Sequence, residues 1–548
     1  MSSSSGRRSR WKVDTRLLPI KAHYFFFMAA MGPVLPFLNV FGKQLGVSEV
    51  VMGTITAVLP ILFLLAKPAF GLLVDRFRRR RKLLFMCLVA ATGCFYVLLG
   101  LVPPPASPRL AAVTCRELPP CDQPGVADCD GSRALAALCD WECADNSSGA
   151  GLAAVLVRNG TAGGGGWQAC APRDGSSSAP PPPPGCDLTC RPAEGRDCLY
   201  GSPAFWGFVL LMALGTIGFN VSNSVSDAIC FDMLGSGEEM KYGRQRVFGT
   251  VGFGVTALLA GYAIDWWSAG SATKDYTPAF VLVFVFTAVD LCCCSKLQLP
   301  PMPQSQSILK DVGKLLKHKH IIVFIAFATL AGINDSFIIY YLFWFLEDLA
   351  METNSMANVK LLEGLVIAAE TLVGEVIFFT LSGKILKRIG YGYSLTLCFL
   401  FYAVRLGLVA VIPGPWWLLP VELFLQGPTY AMCYTTIVAY ASAVAPPGAS
   451  ATVQGLVAGM DDGFGYAVGS MMGGLLYRWL GGRAAFAIAA ALSLLCSVAH
   501  GVLYECMLKH TMVKAGVTSE QGYKSPEAAT AMTVTAARSM AENEKSET

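Results

Sequence analysis

Twelve long apolar stretches run through this chain, and they constrain its fold more than any other feature. Each is long enough for a helix that crosses a bilayer, which needs about 20 apolar residues. Lipid offers no hydrogen-bond partners, so backbone polar groups must bond within each helix. The sequence therefore predicts an all-α polytopic membrane protein with twelve transmembrane helices. The stretches are roughly residues 18–41, 50–70, 83–102, 204–233, 247–265, 278–296, 321–346, 363–383, 392–412, 416–442, 453–477 and 484–506.

The scarcity of charge supports this fold and argues against several soluble classes of protein. Only 15% of the 548 residues are charged and 54% are hydrophobic, whereas soluble globular proteins carry about 25% charged residues. The formal net charge of +4 is too small to indicate a nucleic-acid partner. No P-loop, nucleophile–base pair or HExxH motif stands out. We therefore expect neither an enzyme nor a bound cofactor or metal.

The distribution of Lys and Arg orients the helices. Segments assigned to the inside, such as 76–82, are rich in these residues, and the positive-inside rule then places both termini in the cytoplasm. The short outside loops carry only Lys43, Lys274, Lys360, Arg478 and Arg483. The plasma membrane is the expected location, with an endomembrane as the alternative. The predicted parts are a cytoplasmic N-terminus (1–17), an N-terminal six-helix half (18–296), a cytoplasmic linker (297–320), a C-terminal six-helix half (321–506) and a cytoplasmic tail (507–548).

Residues 103–203 interrupt the helical pattern between the third and fourth stretches. They hold 15 of the 31 prolines and 9 of the 19 cysteines, and the topology places them outside the cell. In an oxidising compartment such cysteines are expected to form disulfides. Asn146 and Asn159 each begin a sequon and are expected to be glycosylated. Two interpretations stay open: a glycosylated, partly disordered flap and a ligand-binding extracellular domain.

Two short basic turns indicate an internal duplication. Gly71–Arg80 follows the second stretch and Gly383–Gly390 follows the eighth, so each ends the second helix of a six-helix half. The turns resemble the signature of the major facilitator superfamily, and Tyr242–Phe253 resembles its lactose-permease-like branch. Within the superfamily, the chain looks like the animal family named major facilitator superfamily domain-containing protein 6. The segments that carry this likeness are Leu342–Leu349, Pro415–Glu422 and Gln426–Ala431.

The resemblance implies a secondary transporter that works by alternating access. It would be coupled to protons, would move a small polar organic solute and would be surrounded by membrane lipid. Lactose permease holds its sugar between an acidic residue of helix 4 and an Arg at the start of helix 5, and Asp227 and Arg246 match these positions. Asn334 and Asp335, in the middle of the seventh stretch, would line the same pathway. The alternative for Asp227 and Arg246 is a structural ion pair between two helices.

Ionisable residues inside the apolar stretches supply candidates for proton coupling. Each costs about 2.5–3.5 kcal/mol on insertion scales, so it needs a partner, a watery cavity or a function. By the same resemblance, Arg405 and Glu422 match proton-handling residues, and Glu375 lies at a depth similar to that of Arg405. A simple ion pair between Glu375 and Arg405 is the alternative. His23 lies near the end of a stretch and is expected to be solvated or to pack.

The turn after the second stretch supplies the gating candidates Asp75, Arg76, Arg79 and Arg80. In the superfamily, the acidic residue of this turn holds the inner gate closed by meeting a helix N-terminus and basic neighbours. Asp232, at the inner end of the fourth stretch, is a candidate partner for Arg80. The alternative for the basic run is that it anchors the chain to anionic lipid.

A cell-surface receptor is the competing function. The chain would then bind an extracellular ligand through residues 103–203 and would have lost transport. The length of this segment and its odd number of cysteines favour the receptor. Solute flux measured in proteoliposomes separates the two functions.

The topology can be tested directly, because it places Asn146 and Asn159 outside and both termini inside. An epitope tag at the C-terminus should stain only after the cells are permeabilised. A tag that stains on intact cells would overturn the topology. Disulfides in residues 103–203 should also change the migration of the protein on a non-reducing gel when reductant is added.

Overall fold

The structure is a computed structural model, and its description excludes several segments of the chain. The described residues are 15–45, 47, 49–102, 113–115, 134–143, 152–158, 167–170, 186–192, 203–235, 239–269, 274–301, 307–353, 359–509 and 511–512. The predicted glycosylation sites Asn146 and Asn159 lie outside these residues, as does most of the predicted cytoplasmic tail.

The apolar stretches form helices, because only a helix satisfies the backbone polar groups of a lipid-embedded segment internally. In the first part of the chain the helices are α1 (Leu18–Met31), α2 (Leu38–Gln44), α3 (Glu49–Arg76), α4 (Arg81–Leu99), α5 (Pro203–Leu234), α6 (Gly243–Trp267) and α7 (Thr277–Ser295). Single 3-10 turns lie at Thr15–Leu17, Leu35–Phe37, Arg78–Arg80 and Glu239–Lys241.

The second part of the chain is also helical, and π-helical segments interrupt its α-helices. The α-helices are α8 (Ile308–Leu315), α9 (Lys319–Glu352), α10 (Val359–Ala369), α11 (Val376–Val411), α12 (Leu418–Gln426), α13 (Met432–Val444), α14 (Ser450–Ala458) and α15 (Tyr466–Leu503). The π segments are Glu370–Glu375, Gly427–Ala431, Gly459–Gly465 and Tyr504–Leu508, and a 3-10 turn lies at Pro415–Trp417. Such segments occur frequently at functional sites.

Within the described residues, nine helical stretches are long and apolar enough to cross a membrane. Two of these stretches change direction sharply, at Gly390 and Gly481, where φ is 79° and 80°. Only glycine adopts such a left-handed φ without strain. Each of these glycines therefore ends one helix and begins the next without an intervening loop. The count of twelve spans is finer than this finding and stays a prediction.

The described parts of the segment 103–203 form one antiparallel sheet. Its strand order is β1-β5-β2-β3-β4, and in its register Cys139 lies opposite Cys190 and Cys143 opposite Cys186. The helical prediction thus applies to the membrane-spanning part, and this segment adds strands that the sequence analysis did not predict. Dense Gly and Pro tracts mask the short strand-forming runs there. The strands are β1 (Val113–Cys115), β2 (Ala134–Cys143), β3 (Leu152–Arg158), β4 (Trp167–Cys170) and β5 (Cys186–Pro192).

The described residues form two compact units. One lies within Met1–Phe37, Gly53–Gly100 and Met212–Thr548, and the other within Leu38–Met52 and Leu101–Leu211. The first unit contains the membrane helices of both predicted halves. Its core is a continuous cluster of aliphatic and aromatic side chains, to which α1, α5, α9, α11 and α13 all contribute.

Small residues bring the two predicted halves into backbone contact at the end that the topology assigns to the cytoplasm. A Cβ atom added at Gly71 would overlap the carbonyl oxygen of Ala451, and one added at Gly383 would overlap that of Met240. Backbones approach this closely only where no side chain intervenes. The halves are therefore closed on each other at this end.

Candidate functional site

A buried arginine with unsatisfied nitrogens lies near the start of α6. Arg246 is 4% exposed, and its guanidinium carbon lies 5.5 Å from the ring centre of Tyr24 and 5.6 Å from that of Tyr434. Its Nε and Nη1 have no hydrogen-bond partner among the described residues. A buried donor left without a partner costs about 1–3 kcal/mol, and more when it is charged. This guanidinium is therefore available to an acceptor group that enters the site.

A fully buried carboxylate shares two of the same aromatic neighbours. Asp227, on α5, accepts hydrogen bonds from the hydroxyls of Tyr24 and Tyr242, each at 2.8 Å, and from that of Tyr434. The direct ion pair with Arg246 that was the structural alternative does not form; the tyrosines link the two groups instead. We call Tyr24, Asp227, Tyr242, Arg246 and Tyr434 the tyrosine–arginine group. Tyr434 belongs to the C-terminal half and the other four to the N-terminal half.

Sequence reasoning found the two charges of the tyrosine–arginine group and missed its tyrosines. Tyr242 opens the segment Tyr242–Phe253, so a signal was present for that residue. Nothing local marked Tyr24 or Tyr434, because aromatic residues in apolar helices usually just pack. Asn223, on α5, donates a hydrogen bond of 3.1 Å to the hydroxyl of Tyr434, which adds a further contact between the halves.

The structure gives Asn334 and Asp335 separate surroundings. Ser493 of α15 donates a hydrogen bond of 2.8 Å to Asn334, whereas Asp335 accepts one from Tyr402 of α11. Adjacent residues of a helix point about 100° apart, so one cavity does not readily collect both. The contacts seen for this pair lie within the C-terminal half.

A buried cluster on α11, α12 and the adjoining π segments surrounds Arg405. The guanidinium is 0% exposed and pairs with both carboxylate oxygens of Glu422, with Nε lying 3.2 Å from Oε1. Its Nη1 donates to Thr429 at 2.8 Å, and its Nη2 lies 3.4 Å from Glu370. One cation therefore serves two carboxylates. Sequence reasoning named Arg405 and Glu422 together but did not pair Glu370 with them.

Glu375 bridges the two predicted halves. Its carboxylate accepts hydrogen bonds from Thr250 of α6 and from Gln426 of α12, each at 3.0 Å. The ion pair with Arg405 that was the alternative is therefore wrong, because Glu422 and Glu370 occupy that guanidinium. Thr250 lies one helical turn beyond Arg246, so this bridge adjoins the tyrosine–arginine group.

A second charged contact joins the halves between α3 and the π segment Gly459–Gly465. Lys67 is 2% exposed and pairs with Asp462, whose side chain is 21% exposed. The neighbouring Asp461 instead lies against Gly332 of α9. Only one residue of this Asp-Asp pair thus faces the opposite half.

Asp75, at the end of α3, caps a helix of the opposite half. Its carboxylate is 0% exposed and accepts hydrogen bonds from the backbone N–H of Thr452 at 2.7 Å, from the Thr452 hydroxyl at 2.7 Å and from the backbone N–H of Ala451 at 3.3 Å. Helix α14 begins at Ser450, so these N–H groups have no partner within their own helix. Asp75 therefore meets a helix N-terminus, as the resemblance implied.

The basic turn beside Asp75 differs from expectation. Asp232 pairs with Arg81, with Nη2 lying 2.5 Å from Oδ2, so the predicted pairing with Arg80 is wrong. The reason is that α4 begins at Arg81 after a single 3-10 turn, which directs Arg81 towards α5 and leaves Arg80 exposed. Arg76 and Arg79 are exposed as well, which fits the lipid-anchoring alternative.

Known proteins share this architecture. A family model described as MFS_1 like family matches residues 17–488. The crystal structure of the nucleoside transporter NupG is 14% identical with a TM-score of 0.53 and covers 89% of this chain and 99% of its own. That of the human organic anion transporter TETRAN is 13% identical with a TM-score of 0.53, covering 88% and 98%. That of the proton:xylose symporter XylE is 12% identical with a TM-score of 0.54, covering 92% and 96%.

The contacts of Asp75 predict the effect of removing its charge. Asp75→Asn should weaken the capping of α14 by about 1–2 kcal/mol, because a carboxylate interacts favourably with a helix N-terminus. A change of this size shifts a conformational equilibrium about 5- to 30-fold. Cysteines placed along the cytoplasmic side of the pathway should then react faster with a membrane-impermeant thiol reagent applied from that side.

Asp311→Asn is the matched control, because it removes a carboxylate from α8, between the halves, and leaves α14 untouched. The control should label like the parent protein. If Asp75→Asn also labels like the parent on both faces, Asp75 does not hold the halves together.

Proposed function

The chain belongs to the MFS_1 like family, and we propose that it is a proton-coupled secondary transporter of a small polar organic solute. Its fold is that of major facilitator superfamily transporters. We propose twelve spans, because the kinks at Gly390 and Gly481 divide two stretches and α12–α13 adds another to the nine. The two six-helix halves would expose one central site to each side of the membrane in turn.

The observation that carries this proposal is the unsatisfied guanidinium of Arg246. A buried cation with free donors is costly unless a ligand completes it. Arg246 also lies against Tyr434 of the opposite half, and the solute of such transporters lies where the halves meet. The tyrosine–arginine group is therefore the solute site that we propose, with Asp335 as a further candidate on the C-terminal side.

The chemistry of the group defines the class of solute. Free guanidinium nitrogens require hydrogen-bond acceptors on the solute, such as hydroxyl, carbonyl or carboxylate oxygens. The rings of Tyr24 and Tyr434 offer flat apolar surfaces for a sugar or a base. The similar structures carry nucleosides, organic anions or xylose according to their descriptions, and all three solute types present such acceptors.

Glu375 is the residue that we propose to couple solute movement to protons, with Arg405 and Glu422 beside it. Its hydrogen bond to Thr250 crosses between the halves, so rocking of the halves would break it. A carboxylate that loses its donors favours the protonated form. Proton binding and conformation would then depend on each other. Arg405 and Glu422 would hold the neighbouring charge in place.

Several finer predictions remain part of this proposal. They are the likeness to the domain-containing protein 6 family, the gating role of Asp75, the glycosylation of residues 103–203, their disulfides and the plasma-membrane location. Neither the family match nor the similar structures support the receptor alternative, and we do not propose it.

Replacing Arg246 with Lys tests the solute site. Lys keeps the charge but loses the planar set of donors, so apparent affinity should fall about tenfold, the equivalent of one charge-assisted hydrogen bond of about 1.5 kcal/mol. The measurement is uptake of a pentose, a nucleoside and a monocarboxylate into proteoliposomes. Arg244→Lys is the control, because Arg244 is exposed two residues earlier. Equal loss in both variants, or none in Arg246→Lys, would contradict the site.

Replacing Glu375 with Gln tests the coupling. The amide can still accept a hydrogen bond but cannot take up a proton, so solute exchange should persist while accumulation driven by a pH gradient is lost. A pH-sensitive dye trapped in the vesicles should then report no proton entry with solute. Glu505→Gln, an exposed carboxylate paired with Lys509, is the control. Unchanged proton entry in Glu375→Gln would exclude this residue as the coupling group.

A further inference from the structure

A second buried polar cluster lies in the N-terminal half, and the proposed transport mechanism does not use it. It consists of His23 of α1 with Asp290 and Cys294 of α7, each 0% exposed. Asp290 and Cys294 are four residues apart and so share one face of α7. Sequence analysis expected His23 to be solvated or to pack, whereas both its ring nitrogens make polar contacts.

The hydrogen bonds around His23 fix the position of one ring proton. The Ser226 hydroxyl donates to the carbonyl oxygen of Ser222 at 2.6 Å, so its oxygen is free to accept from His23 Nε2 at 2.8 Å. Nε2 therefore carries a hydrogen. In the neutral imidazole, Nδ1 then has its lone pair, which is the tautomer that a metal ligand needs.

That lone pair faces two further donor atoms. Nδ1 lies 2.9 Å from Asp290 Oδ1 and 3.3 Å from Cys294 Sγ, and Sγ lies 3.6 Å from the same carboxylate oxygen. Two acceptors this close repel unless a positive ion lies between them, and that ion is a proton or a metal. Bonds of about 2.0–2.3 Å to Zn²⁺ correspond to tetrahedral ligand–ligand distances of about 3.3–3.7 Å, which is near the observed triangle.

We propose that His23, Asp290 and Cys294 bind a divalent first-row metal ion, with Zn²⁺ as the ion that suits this N, O and S donor set. On binding, the thiol would release its proton, and so would the imidazolium if His23 is charged beforehand. Zn²⁺ with one thiolate, one carboxylate and one neutral imidazole has no net charge, which favours burial in a membrane protein.

The surroundings of the cluster fit a site that joins helices. Ser226 of α5 holds the far nitrogen of the imidazole, the kind of outer contact that orients metal-bound histidines. The His23 ring stacks on Phe27 at 5.4 Å and meets the edge of Phe85 at 5.0 Å between centroids. These rings shield the donor atoms. A metal here would tie α1 to α7 beside the tyrosine–arginine group.

Metal content of the purified full-length protein tests the proposal. After loading with Zn²⁺ and removal of loosely bound metal on a desalting column, the wild type should retain one more zinc per chain than Cys294→Ser or His23→Gln. Cys293→Ser is the matched control, because Cys293 precedes Cys294 and lies outside the cluster; it should retain as much zinc as the wild type. Equal zinc in all four proteins would mean that the cluster holds only a proton.

X-ray absorption on the zinc-loaded wild type gives a second readout that does not depend on variants that may fail to fold. The zinc of this cluster should show a single sulfur with nitrogen and oxygen ligands. Zinc bound by the cysteines of residues 103–203 would show two or more sulfurs. A spectrum without the single-sulfur species overturns the proposal even if zinc is retained.

Discussion

Charge buried in the membrane-spanning helices is the constraint on which the rest of this structure depends. An ionisable group there is costly unless it is paired or hydrogen-bonded, and the partners found here lie on other helices. Arg405 of α11 pairs with Glu422 of α12, and His23 of α1 pairs with Asp290 of α7. Apolar packing between lipid-facing helices specifies little by itself. These polar contacts therefore help to determine which helices are neighbours.

The buried polar contacts fall into two classes, and the difference bears on function. Contacts such as Arg405–Glu422 and His23–Asp290 lie within one half, so they can persist while the halves move as rigid bodies. Contacts such as Thr250–Glu375 and Asp75–Thr452 cross between the halves. A transporter that alternates has to make and break the second class. The crossing contacts are hydrogen bonds to carboxylates, whose strength depends on charge.

Arg246 departs from this pattern, because two of its nitrogens have no partner among the described residues. Every other buried charge discussed above has a direct ionic or hydrogen-bonding partner. Asp227, its nearest candidate, is already held by three tyrosine hydroxyls. The structure thus keeps the cation and the carboxylate side by side without pairing them. A solute that brings its own acceptors can complete the guanidinium without first breaking a salt bridge.

The sequence by itself determined the membrane helices, the two-half organisation and the identity of most buried charges, because these depend on local composition and on the length of lipid-exposed segments. It also indicated that Asp75 would meet a helix N-terminus. Only the tertiary structure decided which charges pair: Arg81 rather than Arg80 with Asp232, and Thr250 rather than Arg405 with Glu375. Pairing depends on helix rotation, which a 3-10 turn before α4 and π segments beside Glu375 and Thr429 alter by a fraction of a turn. Such a fraction does not show in an apolar pattern, yet it redirects a side chain to a different helix.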